Sequence, residues 1–170
     1  AIVSNGSAAL GLGNIGSAAT KPIMQGNAAL FKAFSGVDAV DILLDESEPE
    51  RFVECVATFG MNFGAINLDA IKAPDCFLIE KLLKKRLNVP VFHDDQHATA
   101  IVVGAAAMNA LKLSKREFSK IKVVSTGGGA ASISCLEFLV SLGVKRDNIW
   151  LVDMDGLITD KRINEVGPQK

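Results

Sequence analysis

The sequence predicts an α/β fold built from parallel strand–helix–strand units, and three observations carry that prediction. Short apolar runs alternate with amphipathic stretches along the chain, the pattern that feeds a parallel sheet. Hydrophobic residues make up 49% and charged ones 22%, and nine Phe with one Trp and no Tyr point to an aliphatic interior rather than to disorder. Two glycine-rich turns each open a helical stretch. At 170 residues the chain has room for one ordinary domain or two incomplete ones, and it can bury roughly 70% of its unfolded surface.

Taken in order, a short strand at 1–4 and a glycine-rich turn lead into a helix over about 17–34, followed by a strand at 38–44. Residues 49–59 read as helix and 64–68 as a strand ending at Asp69. A helix then starts near Pro74, a good first-turn residue, with Cys76, Ile79, Leu83 and Leu87 spaced three or four apart on its apolar face. Lys81, Lys84, Lys85 and Arg86 decorate its other positions. They read as a solvated face that complements the helix C-terminus, an anion-binding role being the alternative. A strand at 89–92 precedes an alanine-rich helix at 96–113, expected to be buried on much of its circumference. The polar stretch 114–120 is the best linker. After it come a strand at 121–125, glycines 127 to 129, a helix at 130–142 and a strand at 149–152 closed by Asp153. The tail 155–170 reads as frayed or truncated, and the opening Ala1-Ile2-Val3, lacking Met, suggests a fragment.

Charge narrows the function classes. With 18 Lys+Arg against 19 Asp+Glu the formal charge is −1, which gives no reason to expect nucleic acid or an anionic membrane as a partner. Small molecules fit better. Cys55, Cys76 and Cys135 are isolated and odd in number, so neither a disulfide framework nor a CxxC metal site is indicated, and a reducing cytoplasm fits. No run of about 18 apolar residues exists, and the N-terminus has no secretory pattern.

Two turns compete for a phosphate. Gly127-Gly128-Gly129-Ala130-Ala131-Ser132 approximates GxGxxG with serine for the third glycine, and it lies between a strand and a helix as the dinucleotide fingerprint requires. Glycines let the backbone approach a pyrophosphate held by the unpaired N–H groups and dipole of the helix N-terminus. Asp153, closing the next strand, could accept from a ribose hydroxyl, whereas a 2′-phosphate would be repelled unless a basic residue intervened. A plain strand-to-helix turn is the alternative. Gly11-Leu12-Gly13-Asn14-Ile15-Gly16 matches GxGxxG to the letter, but Ser4-Asn5-Gly6-Ser7 separates it from the strand end, so a structural loop is the competing reading.

The sharper signal is acidic. If 64–68 and 89–92 are parallel strands of one unit, Asp69 and the Asp94/Asp95 pair emerge at the same sheet edge, where α/β sheets bind ligands. Carboxylates converging there suit a hard divalent cation, Mg²⁺ or Mn²⁺, which takes oxygen ligands and leaves positions open for substrate. Asp94 and Asp95 could instead cap the following helix. A zinc site on His93 and His97 has no cysteine or third histidine to complete it.

These residues carry a family resemblance. The stretches VSNGSAALGLGNIGSAATKPIMQG, FGAINLDAIKAPDCFLIEKLL, VPVFHDDQHATAI and TGGGAASISCLEFLVSLGVKRDNIWLVD resemble, in order and spacing over about 1–156, the malic enzymes, especially the bacterial NADP-dependent, oxaloacetate-decarboxylating type. The resemblance implies the C-terminal part of a malic N-terminal domain over 1–97 and the truncated start of a Rossmann-type NAD(P)-binding domain over 98–170. It implies oxidative decarboxylation of malate to pyruvate with NADP or NAD and Mg²⁺ or Mn²⁺, and a homo-oligomer. Metal ligands would be Asp69 and Asp95, with Asp94 at the reacting centre and the nucleotide on Gly127, Gly128, Gly129 and Asp153. The family's catalytic tyrosine lies upstream of this chain.

Several positions depart from the family pattern. Where the family has Glu-Asp after the INL strand, this sequence has Asp69-Ala70, so one ligand is shortened and the next is missing. The family's general-base lysine follows MEG. Here Met24-Gln25-Gly26 is followed by Asn27, which cannot take up a proton, and Lys21 lies six residues before it. Ala98 for Gly and Ser132 in the phosphate turn are milder changes. The expectation is an inactive or nearly inactive derivative, with a non-catalytic nucleotide-binding or assembly module as the alternative.

Overall fold

The computed structural model describes residues 1–162, and the chain divides into two compact units, Ala1–Asp94 and Asp95–Lys170. The first unit holds a four-stranded parallel sheet of β1 (Ile2–Ser4), β2 (Asp41–Leu43), β3 (Ile66–Leu68) and β4 (Val91–His93), in the order β2-β1-β3-β4. Each strand is shorter than its apolar run suggested, because the ladder frays into the connecting loops. Around β2, bonds from Ile2 N–H to the Val40 carbonyl and from Leu44 N–H to the Ser4 carbonyl continue the pairing one residue past each end.

The helices of this unit are α1 (Gly16–Ser35), α2 (Pro49–Phe59) and α3 (Asp75–Arg86). Pro49 opens α2 in the first turn, where its missing N–H costs nothing. Pro74 lies one residue ahead of α3, at the N-cap rather than in the first turn. The predicted face of α3 is the buried one: Cys76, Ile79, Leu83 and Leu87 are all inside, against Phe52, Val53 and Val56 on α2. Each such side chain is worth about 1.5–3 kcal/mol removed from water. Lys81, Lys84, Lys85 and Arg86 are exposed. Lys84 pairs with Glu80 at 2.7 Å and Arg86 bonds both carboxylate oxygens of Glu54 on α2, so this basic run is a solvated, ion-paired face.

The second unit begins with α4 (Asp94–Ser114, its first residue belonging to the unit before) and contains β5 (Val123–Thr126), α5 (Ala130–Ser141), β6 (Ile149–Asp153) and β7 (Gly156–Leu157). β5 and β6 are parallel, and β7 returns antiparallel along β6. Gly104 of α4 leaves room for α5, since a Cβ there would sit 2.3 Å from the Phe138 ring.

Two expectations are corrected here. α4 is not buried on much of its circumference: only Gln96, Ala100 and Gly104 are inside, while Ile101, Val102, Met108 and Leu113 are exposed. Its composition is that of an enclosed helix, but the described residues do not supply the cover. The segment after Asp155 is not simply frayed either, because 156–162 forms β7 and a single 3₁₀ turn at Asp160–Arg162. The rest of that predicted tail, 163–170, lies outside the described residues.

Candidate functional site

Parallel pairing of β3 with β4, Leu68 opposite His93, brings the next residue of each strand to the same edge of the sheet. Those residues are Asp69 and Asp94. They line one cavity of about 350 Å³ together with Asn27, Leu30, Phe31, Phe34, Ser35 and Asn67. α1 supplies the apolar wall and the amide. Asn27 Nδ2 donates to Asp69 Oδ2 at 2.6 Å, so the residue standing at the family's lysine position touches the first predicted metal ligand. Asp69 is 8% exposed, and its N–H is held by the Val3 carbonyl at 3.1 Å.

The site carries unbalanced negative charge. Burial pushes the Asp69 carboxyl above its ordinary range and the neighbouring Asp94 charge pushes it further, against the opposing hydrogen bonds from Asn27 and the Ala70 backbone. Asp94 is also raised, by burial. Both folded-state values lie above the unfolded ones, so the native chain binds more protons through this window and stability falls as pH rises through it. The burden is absent below the ordinary Asp value of 3.8 and complete above the raised values. Asp69→Asn is therefore expected to raise the neutral-pH stability of the metal-free chain by on the order of 1 kcal/mol, a gain that vanishes toward about pH 4. Thermal melts followed by circular dichroism at the two pH values check this; a neutral-pH loss would contradict it.

Asp94 is also the first residue of α4, so its charge sits favourably at the helix N-terminus while facing the cavity. Asp95 opens the second unit. Ala70 is buried with φ 53°, a left-handed conformation uncommon for alanine. Among the described residues no group of three or more His, Cys, Asp or Glu side chains is disposed to hold a metal ion. His93 is fully buried at the end of β4, and His97 lies in the second unit.

The loop between β1 and α1 is moored at its base. Gly6, at φ 68°, receives the Gly16 N–H on its carbonyl, Ser7 Oγ accepts from the Lys72 N–H at 3.0 Å, and the Ala8 N–H reaches the Ala70 carbonyl at 3.0 Å. Gly11, Gly13 and Gly16 all have positive φ, and Gly13 bridges Ala9 at the tip. Eleven residues separate β1 from α1, so this GxGxxG does not follow a strand directly, unlike a dinucleotide turn. Lys21 is held by Asp41 at 2.6 Å.

In the second unit, 127–129 link β5 directly to α5, as the fingerprint requires. Gly127 adopts φ 90° and donates to the Val152 carbonyl at 2.7 Å, which sets the turn beside Asp153. No side chain caps α5. Ser132 meets Ser125 Oγ to Oγ at 2.6 Å, so the serine replacing the third glycine ties helix to strand. Asp153 is gripped by Arg162, a residue that the sequence reading missed because it fell in the supposed tail. The signal was Gly156, whose φ of 106° turns the chain back along β6.

Comparison with known proteins follows these two regions. A model of the malic enzyme N-terminal domain matches residues 1–84, and one of the malic enzyme NAD-binding domain matches 96–170. The NAD-dependent malic enzyme of Rhizobium meliloti is 50% identical over 158 residues, 93% of this chain and 20% of that protein. The NADP-dependent malic enzyme of Escherichia coli is 50% identical over 162 residues, 95% of this chain and 21% of that protein. The crystal structure of the Thermotoga maritima NAD-dependent malic enzyme superposes with a TM-score of 0.91 at 47% identity, over 97% of this chain and 43% of that one. This chain spans about a fifth of the length of the curated relatives it matches first.

Proposed function

We propose, from the premise that this chain belongs to the malic enzyme family, that it derives from an enzyme oxidising malate to pyruvate and CO₂ with NAD or NADP, and retains binding but little turnover. The observation that carries this reading is the shared cavity of Asp69, Asp94 and Asn27. On this reading residues 1–97 form the malic N-terminal domain and 98–170 the start of the nucleotide domain. The chain is cytoplasmic and self-associates through its exposed apolar helix faces. Among the described residues no helix is long and apolar enough to cross a membrane.

The carboxylates of Asp69 and Asp94 give this cavity oxygen donors and surplus negative charge, which would suit a hard divalent cation, Asp69 and Asp95 being the ligand positions that the family resemblance implies. Such a cation, when bound, polarises the substrate's oxygen as a Lewis acid. Asp94 supports the reacting centre from the first turn of α4. Leu30, Phe31 and Phe34 of α1 line the same cavity as an exposed apolar flank. Gly127, Gly128 and Gly129 cradle the pyrophosphate at the start of α5, and Asp153 accepts from the ribose; Gly11, Gly13 and Gly16 are a weaker second candidate.

Hydride loss from C2 of malate leaves a hydroxyl proton that needs an acceptor, and the Asn27 amide cannot take it. A missing general base typically costs about 10² to 10⁴ in rate. The same amide, donating into Asp69, favours the second reading, a non-catalytic nucleotide-holding or assembly module. Titration calorimetry with Mn²⁺, with and without malate, and a malate-dependent NAD(P)H assay separate the two. Binding of Mn²⁺, malate and nucleotide with turnover at least about 10²-fold below family rates supports the first. Nucleotide binding without Mn²⁺ or malate selects the second, and turnover at family rates overturns the impairment.

A further inference from the structure

Asn27 and Asp69 meet because both of their segments are seated independently of the bond between them. Asn27, Leu30, Phe31, Phe34 and Ser35 follow one another along α1 at helical neighbour spacing, which puts all five on the face turned to the cavity. Met24 and Ala28, on either side of Asn27 in this helix, pack into one apolar cluster with Ile2 and Ala70, the residue after Asp69. Asp69 is also tied down at its backbone. Its N–H goes to the Val3 carbonyl at 3.1 Å, and the Ala70 carbonyl receives the Ala8 N–H at 3.0 Å. What remains free is the rotation of a short side chain, and the Asn27 amide stops it by donating to Asp69 Oδ2 at 2.6 Å.

We propose that Asn27 is a positioning residue that sets the Asp69 carboxylate for a divalent cation, and that its lack of charge is what suits it to the task. The inference rests on the cation reading of this cavity and goes further by giving residue 27 a role of its own. The terminal torsion of an aspartate is broad and close to two-fold, so an unheld carboxylate presents its oxygens over a range of angles. One N–H on one oxygen selects a single plane. Partners of this kind touch no metal themselves, yet removing them typically costs about 10- to 100-fold in metal affinity. An ammonium in the same place would also hold the carboxylate, but as an ion pair. It would cancel the charge that draws a cation and would repel the cation directly. The amide holds Asp69 without neutralising it. A lysine at position 27, although it brings a group able to take up a proton, should therefore weaken the hold on metal rather than strengthen it.

The test is calorimetric titration of Mn²⁺ into the full chain and its Asn27 variants, with metal-free melting temperatures as a control. Asn27→Leu, similar in volume but without a donor, should bind Mn²⁺ about 10- to 100-fold more weakly. Asn27→Gln, which keeps the donor on a longer arm, should recover part of that loss. Asn27→Lys should bind at least as weakly as Asn27→Leu. The side-chain amide of Asn27 gives a metal-free readout by heteronuclear NMR: its proton toward Asp69 should lie downfield of the other asparagine amides and rejoin them in Asp69→Ala. A merely structural role would lower the melting temperature of Asn27→Leu and leave Mn²⁺ affinity where it was. Unchanged affinity in Asn27→Leu, tighter binding in Asn27→Lys, or an amide signal unmoved by Asp69→Ala overturns this inference while the cation reading stands. If the unaltered chain takes up no Mn²⁺, the cation reading itself fails and takes the role of Asn27 with it.

Discussion

Replacing Gly6 by alanine is expected to destabilise the first unit by about 3–5 kcal/mol, a large fraction of an ordinary domain's stability. An added Cβ would lie 2.2 Å from the Gly16 carbonyl oxygen and 2.3 Å from Thr20 Oγ1, and the first of these is backbone that cannot step aside. The residue also has φ 68°, where a side chain is strained even without a neighbour. Gly11→Ala separates the two effects: its φ is 76°, but nothing lies within 4 Å, so a loss of only about 1 kcal/mol is expected. Urea unfolding of both variants, followed by far-ultraviolet circular dichroism, measures the difference. Equal losses would mean that the close approach to α1 is not what demands glycine.

Ala70→Asp is expected to tighten Mn²⁺ binding by about 10- to 100-fold, because affinity for hard cations follows the number of charged oxygen ligands. The position is prepared for the change. Its φ of 53° is one that aspartate adopts more readily than alanine, and it adjoins Asp69. Since Ala70 is only 4% exposed, the added carboxylate should lower the melting temperature of the metal-free chain and enlarge the stabilisation that Mn²⁺ brings. Calorimetric titration and melts with and without Mn²⁺ give both quantities. Ala70→Asn, similar in shape but uncharged, should show neither effect in full, and unchanged affinity in Ala70→Asp would remove residue 70 from the cation's surroundings.

The edge of the first sheet was legible because it follows from a topological rule. A helix between two strands of one sheet makes them parallel, so the residues after INL and VFH had to share an end, and Asp69 with Asp94 do. The buried face of α3 was equally legible, since a spacing of three and four admits one core-facing side. Burial of α4 was not. Its sequence records what such a helix is made to be covered by, and composition cannot say whether the cover is part of the same chain. Arg162 was hidden for a different reason: one glycine conformation, at Gly156, reverses the chain and carries a polar segment back to Asp153. The Asn27 contact with Asp69 joins residues 42 apart, and only the packing of α1 against the sheet, on β1 and β2, reveals it.

The mooring of the first glycine-rich loop divides it into two regimes of evolutionary freedom. The bonds that tie it to the segment after Asp69 come from its stem, through the Ser7 hydroxyl and the Ala8 amide, whereas Leu10 stands 99% in solvent at the crest. Closing a longer crest adds little entropy, about 0.6 kcal/mol for each doubling of length. Lineages could therefore lengthen, shorten or rewrite residues 10–12 while the acidic edge beneath stays undisturbed, and a reporter peptide grafted there should be carried without harm.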